Sequence, residues 1–342
     1  MNQNPELGGD FATDIAIVGA GPAGLFAVFQ AGLLEMRCQV FDALAEVGGQ
    51  CSALYPEKPI YDIPGYPEIA ALELIDKLGV QIAPFDPVFH LGRTVEGLAE
   101  IEGGFELTAG DQNFTARAVI IAAGAGAFGP NRPPLEGIED YENGGGVHYL
   151  VTRREDFRGK HVVIAGGGDS AVDWALSLAP LAASVALVHR RPKFRAAPES
   201  ARRLEQLAQA GEIELVVPYQ LAGLEGEGKL CGVRVATLDG EERLLEADVL
   251  LPFYGLATSL GPIAGWGLEL AKGQITVDPA SCQSSRPGIF AIGDVAAYPG
   301  KLKLILTGFA EAATAAHAIY PLVHPDQALH FEYSTTKGRP GG

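Results

Sequence analysis

The sequence of 342 residues is poor in cysteine and in positive charge, and it has no long apolar run. Its four cysteines, Cys38, Cys51, Cys231 and Cys282, include no C-x-x-C pair, so they predict neither a disulfide framework nor a dithiol redox centre. The 25 basic and 42 acidic residues leave a net charge of −17. That charge argues against a nucleic-acid partner and against a polybasic membrane anchor, because both need a positive field.

No signal peptide or membrane-spanning segment is predicted from the sequence. The first residues contain no basic stretch followed by an apolar core, and no apolar run approaches the length of about 18 residues that a spanning helix needs. We therefore expect a cytoplasmic protein that binds neither membrane nor nucleic acid.

The sequence does contain a glycine-rich turn between an apolar strand and a helix. The first copy, "GAGPAG", provides Gly19, Gly21 and Gly24. Glycines are needed there because any side chain would keep the backbone away from a pyrophosphate at the helix N-terminus. Asp42 ends the next strand, roughly 20 residues after the first glycine, where a carboxylate accepts from a ribose 2′-hydroxyl. The first site is therefore predicted to take a nucleotide with a free 2′-hydroxyl.

A second copy of the turn, "GGGDSA", repeats this plan with different chemistry at the ribose end. The turn provides Gly166, Gly168, Asp169 and Ser170. The position equivalent to Asp42 is now His189, followed by Arg190, Arg191 and Arg195. Cations in place of a carboxylate are expected where the ribose carries a 2′-phosphate. This pattern predicts an NADPH/NADP+ site, and its alternative is a solvated basic strand end.

Two nucleotide sites with different ribose ends suggest a hydride donor and a second redox carrier. FAD fits the first site because its adenosine has a free 2′-hydroxyl. Near the C-terminus, Gly293 and Asp294 end a short apolar strand, and a carboxylate there could reach a ribityl chain. We predict no metal site.

Several longer motifs resemble the flavoprotein disulfide reductases, and among them the thioredoxin reductase-like ferredoxin-NADP(+) reductases. They are "GAGPAG", "GGQCSALYPEKPIYDIPGYPEI", "GGGDSAVDWAL", "HRRPKFRA" and "YSTTKG". The resemblance implies an α/β fold of two Rossmann-like, three-layer ββα nucleotide-binding domains, the NADPH domain being inserted into the FAD domain. Residues 1–126 and 255–342, with a C-terminal tail at 321–342, would form the FAD-binding domain. Residues 127–254 would form the NADPH-binding domain.

The resemblance also implies roles for single residues around the flavin. Tyr55 and Tyr333 would cover the two faces of the isoalloxazine, and Ser334 and Thr335 would lie near N5 and the polar edge of the ring. Tyr55, Tyr333 and Ser334 are thus the candidate catalytic residues. Further FAD contacts are implied for Gln50, Val95 through its backbone, Phe128 and Asp294.

The activity implied by the resemblance is hydride exchange between NADPH and flavin N5, followed by one-electron transfers with ferredoxin or flavodoxin, in a homodimer. Two alternatives stay open. One is an NADPH-dependent disulfide or peroxide reductase that uses Cys51 as a redox thiol. The other is a non-catalytic module that senses NADPH.

The acidic charge conflicts with an acidic ferredoxin partner unless a local basic patch dominates within the screening length of roughly 8 Å. The candidate cations for such a patch are Lys58, Lys301, Lys303, Lys337 and Arg339. The alternative is that these side chains form an ordinary solvated face.

Overall fold

The structure, a computed structural model, describes residues 12–329. The chain divides into two units. Unit 1 comprises residues 1–127 and 258–342, and unit 2 comprises residues 128–257. Unit 2 is therefore an insertion between the two chain segments of unit 1.

The helices and strands alternate along much of the chain. The helices within residues 12–329 are α1 (Pro22–Leu33), α2 (Gln50–Ala53), α3 (Ala71–Ile82), α4 (Asp169–Leu178), α5 (Pro198–Gln209) and α6 (Ile305–Val323). The first strands are β1 (Thr13–Val18), β2 (Cys38–Asp42), β3 (Pro59–Ile60), β4 (Ile69–Ala70), β5 (Val88–Leu91), β6 (Val95–Ile101), β7 (Gly104–Ala109), β8 (Gln112–Ile121) and β9 (Ala127–Pro130). The middle strands are β10 (His161–Ala165), β11 (Ser184–Val188), β12 (Glu214–Val216), β13 (Gln220–Gly226), β14 (Leu230–Ala236), β15 (Glu242–Glu246) and β16 (Val249–Pro252). The last strands are β17 (Leu256–Ser259), β18 (Leu270–Ala271), β19 (Gln274–Thr276), β20 (Ile289–Ala291) and β21 (Ala296–Ala297). None of the helices in the described part of the chain is both long and apolar enough to cross a membrane.

The main sheet of unit 1 combines a parallel and an antiparallel part. Strands β5, β2, β1 and β8 are parallel neighbours, with Ile15 opposite Cys38 on one side and Ala118 on the other. The long strand β8 pairs antiparallel with β7 near its start and parallel with β20 near its end. Strand β1 is buried at every position, as is typical of parallel strands that are covered on both faces.

Helices cover one face of this sheet and strands cover the other. Helices α1, α3 and α6 contribute apolar side chains to the core on the first face. Helix α1 begins with Pro22 at a position where the missing N–H costs nothing, and its Phe26 ring lies 4.8 Å from the Phe309 ring of α6. The second face packs against residues of β6, β7 and β19 and against Trp266. This is a three-layer ββα arrangement.

Unit 2 repeats the same plan on a smaller scale. Its parallel sheet has the order β12, β11, β10, β16, and a separate antiparallel sheet has the order β13, β14, β15. Helix α4 buries Ala171, Val172, Ala175 and Leu178. The predicted α/β fold with two Rossmann-like units is confirmed.

The two chain segments that connect the units are themselves extended. They run as β9 and β17, which pair in a two-stranded sheet. The boundaries between the two units fall between residues 127 and 128 and between residues 257 and 258. Both boundaries lie within Gly- and Pro-rich segments of the sequence.

Candidate functional site

The glycine turn of unit 1 contains glycines of two kinds. A Cβ built on Gly19 would lie 2.3 Å from the carbonyl oxygen of Ala122, and one built on Gly24 would lie 2.0 Å from the carbonyl oxygen of Gly19. Both positions are glycine because the protein packs against them. A Cβ built on Gly21 meets no atom of residues 12–329 within 4 Å. Protein packing does not explain that glycine, whereas a pyrophosphate drawn close to the start of α1 does.

Asp42 lies at the end of β2, next to this turn. Its Oδ2 accepts a hydrogen bond from the Ala20 backbone N–H at 2.7 Å, and its Oδ1 accepts from the Leu44 N–H at 2.8 Å. Each carboxylate oxygen can accept a second bond. The half-buried carboxylate is therefore held against the glycine turn and retains the capacity to accept from a ribose hydroxyl.

The "GGQ" segment also lies against the turn. The Gly48 N–H donates to the Ala20 carbonyl at 2.8 Å, and a Cβ built on Gly49 would lie 3.2 Å from the Gly21 Cα. Gln50 begins α2 directly afterwards. The structure thus brings Gln50 to the same side of the sheet edge as Gly21.

Asp294 reaches the start of α1 from the other end of the chain. It lies in the short turn Gly293–Val295 that follows β20, and a Cβ on Gly293 would be 3.3 Å from the Ala23 Cβ. Ala23 and Gly293, which are 270 residues apart in sequence, therefore meet at the first glycine turn.

Cys51, Tyr55, Lys58 and Asp294 form a cluster beside this turn. Burial raises the pKa of Cys51 to about 11, although the neighbouring Tyr55 hydroxyl partly offsets this effect. Burial, the Cys51 hydrogen bond and the Asp294 carboxylate also raise the pKa of Tyr55. The Lys58 ammonium lies 5.7 Å from the centre of the Tyr55 ring. At neutral pH the Cys51 thiol and the Tyr55 phenol are both protonated. The charges in the cluster are those of Lys58 and Asp294.

The remaining predicted FAD contacts are less closely grouped. Val95 begins β6 and is buried; two residues before it, the Arg93 N–H donates to the Asp42 carbonyl at 2.8 Å. Phe128 lies in β9, for which only the backbone is described. The positions of Tyr333, Ser334 and Thr335 fall outside the described residues, so their predicted roles stay predictions.

The glycine turn of unit 2 shows the same two kinds of glycine. A Cβ on Gly166 would lie 2.8 Å from the Phe253 carbonyl oxygen, whereas one on Gly168 meets no described atom within 4 Å. Helix α4 begins immediately after Gly168 and has no side-chain N-cap. Its first backbone N–H groups are therefore open to an anionic ligand.

A loop that carries the predicted cations folds over this second turn. The Arg195 N–H donates to the Gly167 carbonyl at 2.7 Å, and the Asp169 carboxylate accepts from the Ala197 N–H at 2.9 Å. Asp169 thus holds the loop that carries the arginines. Ser170, Arg190, Arg191 and Arg195 are exposed.

His189 differs from the cation that the sequence pattern suggests. A Cβ on Gly167 would lie 2.1 Å from its ring, so the imidazole packs on the glycine turn. Burial and the charges of Arg190, Arg195 and Arg191 lower its pKa. The imidazole is neutral at pH 7, so His189 adds no positive charge beside the exposed arginines of this site.

Lys301 was expected among the docking cations, and this expectation is wrong. Its side chain is 6% exposed and forms an ion pair with Glu311 of α6, whose side chain is 5% exposed. Sequence reasoning missed Glu311 altogether. The available signal was that Glu311 is the only charged residue in the apolar helix α6, and a charge in such a helix needs a partner.

Residues 13–318 match the family model described as pyridine nucleotide-disulphide oxidoreductase. The chain belongs to this family. The resemblance seen in the sequence is therefore confirmed, and the protein is an oxidoreductase of this family.

Relatives of this oxidoreductase extend over almost its whole length. The ferredoxin–NADP reductase of Granulibacter bethesdensis is 67% identical over 332 residues, covering 96% of this chain and 95% of the relative. The ferredoxin–NADP reductase of Paramagnetospirillum magneticum is 64% identical, covering 96% and 98%. Among solved structures, Lactococcus lactis thioredoxin reductase in its FR conformation superposes with a TM-score of 0.79 at 26% identity, covering 92% of this chain and 99% of that one.

The burial of Cys51 predicts that this thiol is chemically inert in the folded oxidoreductase. With a pKa of about 11, only about one thiol in a thousand is ionised at pH 8. We expect iodoacetamide at pH 8 to label the exposed Cys231 and to leave Cys51 unlabelled, as measured by peptide mass spectrometry. Cys51→Ser should retain NADPH-dependent electron transfer. Loss of that transfer with FAD still bound would assign Cys51 a redox role.

Proposed function

We propose that this oxidoreductase is a FAD-dependent ferredoxin-NADP(+) reductase. The observation that carries the proposal is the pair of glycine turns with opposite ribose-end chemistry, Asp42 in unit 1 and the arginine loop in unit 2. Relatives with 67% and 64% identity over nearly the full chain are named ferredoxin–NADP reductase. Unit 1 is the FAD-binding domain, and unit 2 is the NADPH-binding domain.

The residues of unit 1 fit FAD. The open position at Gly21 would leave room for the pyrophosphate. The Asp42 carboxylate, held against the turn by the Ala20 N–H, would accept from the adenosine ribose, and Asp294 would accept from the ribityl chain. Gly19 and Gly24 allow the turn to close, and Gln50, Val95 and Phe128 complete the contacts. Tyr55 would cover one face of the ring system. The tail residues Tyr333, Ser334 and Thr335, which lie outside the described residues, would serve the other face and the polar edge.

The residues of unit 2 fit NADPH. Gly166 and Gly168 form the pyrophosphate turn, with Ser170 at the exposed start of α4. Arg190, Arg191 and Arg195 hold the 2′-phosphate through charge-assisted hydrogen bonds. The His189 ring packs on the glycine turn, and the Asp169 carboxylate holds the arginine loop through the Ala197 N–H. Both residues thereby position these arginines.

FAD, when bound, supplies the conversion between the two-electron hydride of NADPH and the single electrons that an iron–sulfur acceptor takes. The protein binds and orients the two nucleotides. Tyr55 retains its proton because its pKa is raised, so it serves as a neutral surface and not as a proton donor. Since Cys51 is buried and protonated, electrons leave to an external carrier and not to the Cys51 thiol.

The external carrier in this proposal is ferredoxin or flavodoxin, and the enzyme acts as a homodimer in the cytoplasm. With Lys301 paired and buried, the cations that remain for docking are Lys58, Lys303, Lys337 and Arg339. Of these, Lys303 is exposed and Lys58 is half-buried beside Tyr55.

An assay of cytochrome c reduction by NADPH tests this proposal. The FAD-loaded protein is assayed with ferredoxin, with flavodoxin and with neither, and a disulfide reagent and a peroxide are offered as rival acceptors. We expect ferredoxin or flavodoxin to accelerate the reaction, and we expect negligible thiol release or peroxide consumption. Cys51→Ser serves as the matched control and should behave as wild type. Turnover of the disulfide or peroxide, with no response to either carrier, would contradict the proposal, and absence of flavin reduction would indicate a sensing module.

A further inference from the structure

Glu311 is a buried carboxylate that the activity proposed above does not use. It lies in the middle of α6, and the residue is 5% exposed. Its Oε2 accepts from the Gly293 backbone N–H at 2.7 Å, and its Oε1 accepts from the Tyr298 hydroxyl at 2.6 Å. The Lys301 ammonium donates to the same Oε1. One carboxylate therefore holds the loop 293–301 at its beginning, its middle and its end.

The charges in this network depend on each other. Both side chains of the Lys301–Glu311 pair are nearly inaccessible to water. Removing one partner of a buried pair leaves an uncompensated charge, which is far more costly than removing both. Tyr298 stays protonated because burial and Glu311 raise its pKa, so its hydroxyl remains a donor to the carboxylate.

The loop is also held from its other side. The Gln274 side-chain amide donates to the Asp294 carbonyl at 2.6 Å and to the Ala296 carbonyl at 3.2 Å. The backbone around Asp294 is thus fixed by Gln274 on one side and by Glu311 on the other. The backbone at Asp294 therefore cannot shift without breaking one of these hydrogen bonds.

Helix α6 is shaped to bring this loop close to α1. One turn before Glu311, a Cβ on Gly308 would lie 3.1 Å from the Ala23 Cβ and 3.4 Å from the Gly293 Cα. The glycine lets α6 approach both the loop and the first turn of α1. The Asp294 carboxylate raises the pKa of Cys51 and of Tyr55, and the close approach of Gly293 to Ala23 places its backbone beside the start of α1.

We propose that Glu311, with Lys301 as its counter-ion, is a positioning residue of the FAD site. It fixes the Gly293 N–H and so places the Asp294 carboxylate beside the start of α1, where the ribityl chain of the flavin binds. The inference rests on the proposed binding of FAD to unit 1. Because the pair is neutral as a whole, it positions Asp294 without adding net charge to the site.

The test separates cofactor positioning from stability of the fold. The variants are Glu311→Gln, Lys301→Met, the double variant, and Asp14→Asn as the matched control. Asp14 is a buried carboxylate of the same unit that accepts from the Arg37 backbone N–H at 2.7 Å, but it lies at the opposite end of β1 from the glycine turn. The measurements are the thermal unfolding midpoint of each apoprotein, the Kd of FAD, and the visible absorbance spectrum of the bound flavin.

We expect Glu311→Gln and Lys301→Met each to weaken FAD binding by about tenfold or more, since each single change disrupts a charged hydrogen bond. The flavin absorbance bands should shift in both single variants. The double variant should regain part of the lost affinity because no unpaired charge remains. Asp14→Asn should lower the apoprotein midpoint while leaving the Kd of FAD and the flavin spectrum as in wild type.

Equal losses of midpoint in Glu311→Gln and Asp14→Asn, with an unchanged Kd of FAD in both, would overturn the inference and leave Glu311 a purely structural residue. If the single variants do not fold, the double variant and Tyr298→Phe provide the test, and wild-type Kd and spectra in both would equally overturn it. Failure of the wild-type protein to bind FAD would instead reject the proposed function.

Discussion

Replacing Gly21 by Ala is expected to weaken FAD binding roughly ten- to hundredfold while the apoprotein stays folded. The new Cβ meets no atom of residues 12–329 within 4 Å, so the protein itself accommodates it. The methyl group would occupy the space through which the backbone approaches the pyrophosphate. Steric overlap of this size is worth about 1–3 kcal/mol, which corresponds to roughly a ten- to hundredfold loss of affinity. The Kd of FAD, titrated into apoprotein by fluorescence, measures this loss.

Gly24→Ala is the matched comparison three residues away. Its Cβ would lie 2.0 Å from the Gly19 carbonyl oxygen, and a backbone atom cannot move away by side-chain rotation. We expect this variant to lower the free energy of unfolding of the apoprotein by about 1–3 kcal/mol or more, as followed by circular dichroism. A Gly21→Ala protein that binds FAD as wild type does would show that the pyrophosphate does not lie at this turn.

Replacing Arg190 and Arg191 together by Ala is expected to raise the KM for NADPH strongly and to leave the KM for NADH unchanged. Both side chains are exposed beside the second glycine turn, and His189 is neutral because burial and the neighbouring arginines lower its pKa. The arginines therefore provide the positive charge for a 2′-phosphate. Each charge-assisted bond that is lost should raise the KM for NADPH by about tenfold. Steady-state kinetics with both cofactors measures the ratio.

Arg202→Ala provides the control for this double variant. Arg202 is an exposed arginine of the same unit, but it pairs with Glu199 within α5 through bonds of 2.6–3.1 Å. Its removal should leave the selectivity for NADPH intact. The selectivity of the wild-type protein should fall as salt is raised, because exposed charges are screened. If the double variant affected NADPH and NADH equally, the assignment of the 2′-phosphate to these arginines would have to be abandoned.

The sequence alone determined the two glycine turns, whereas the insertion of one nucleotide-binding unit into the other was implied by the family resemblance. Such a turn is a local feature, because a run of glycines between an apolar strand and a helix can be recognised from neighbouring residues alone. The strand before the first turn is Thr13–Val18, and the helix after it runs from Pro22 to Leu33. The place of Asp42 at the end of β2 followed from the same spacing.

The tertiary structure alone decided the state of the charged and titratable groups. Lys301 has the appearance of a surface cation in "GKLKLIL", yet it is buried against Glu311, ten residues further along the chain. His189 lies in a basic stretch but loses its charge because its ring packs on Gly167. Cys51 is a buried thiol because Tyr55 and the core around α2 enclose it. Burial and charge pairing depend on which distant segments of the chain come into contact. Those contacts cannot be derived from the spacing of residues in the sequence.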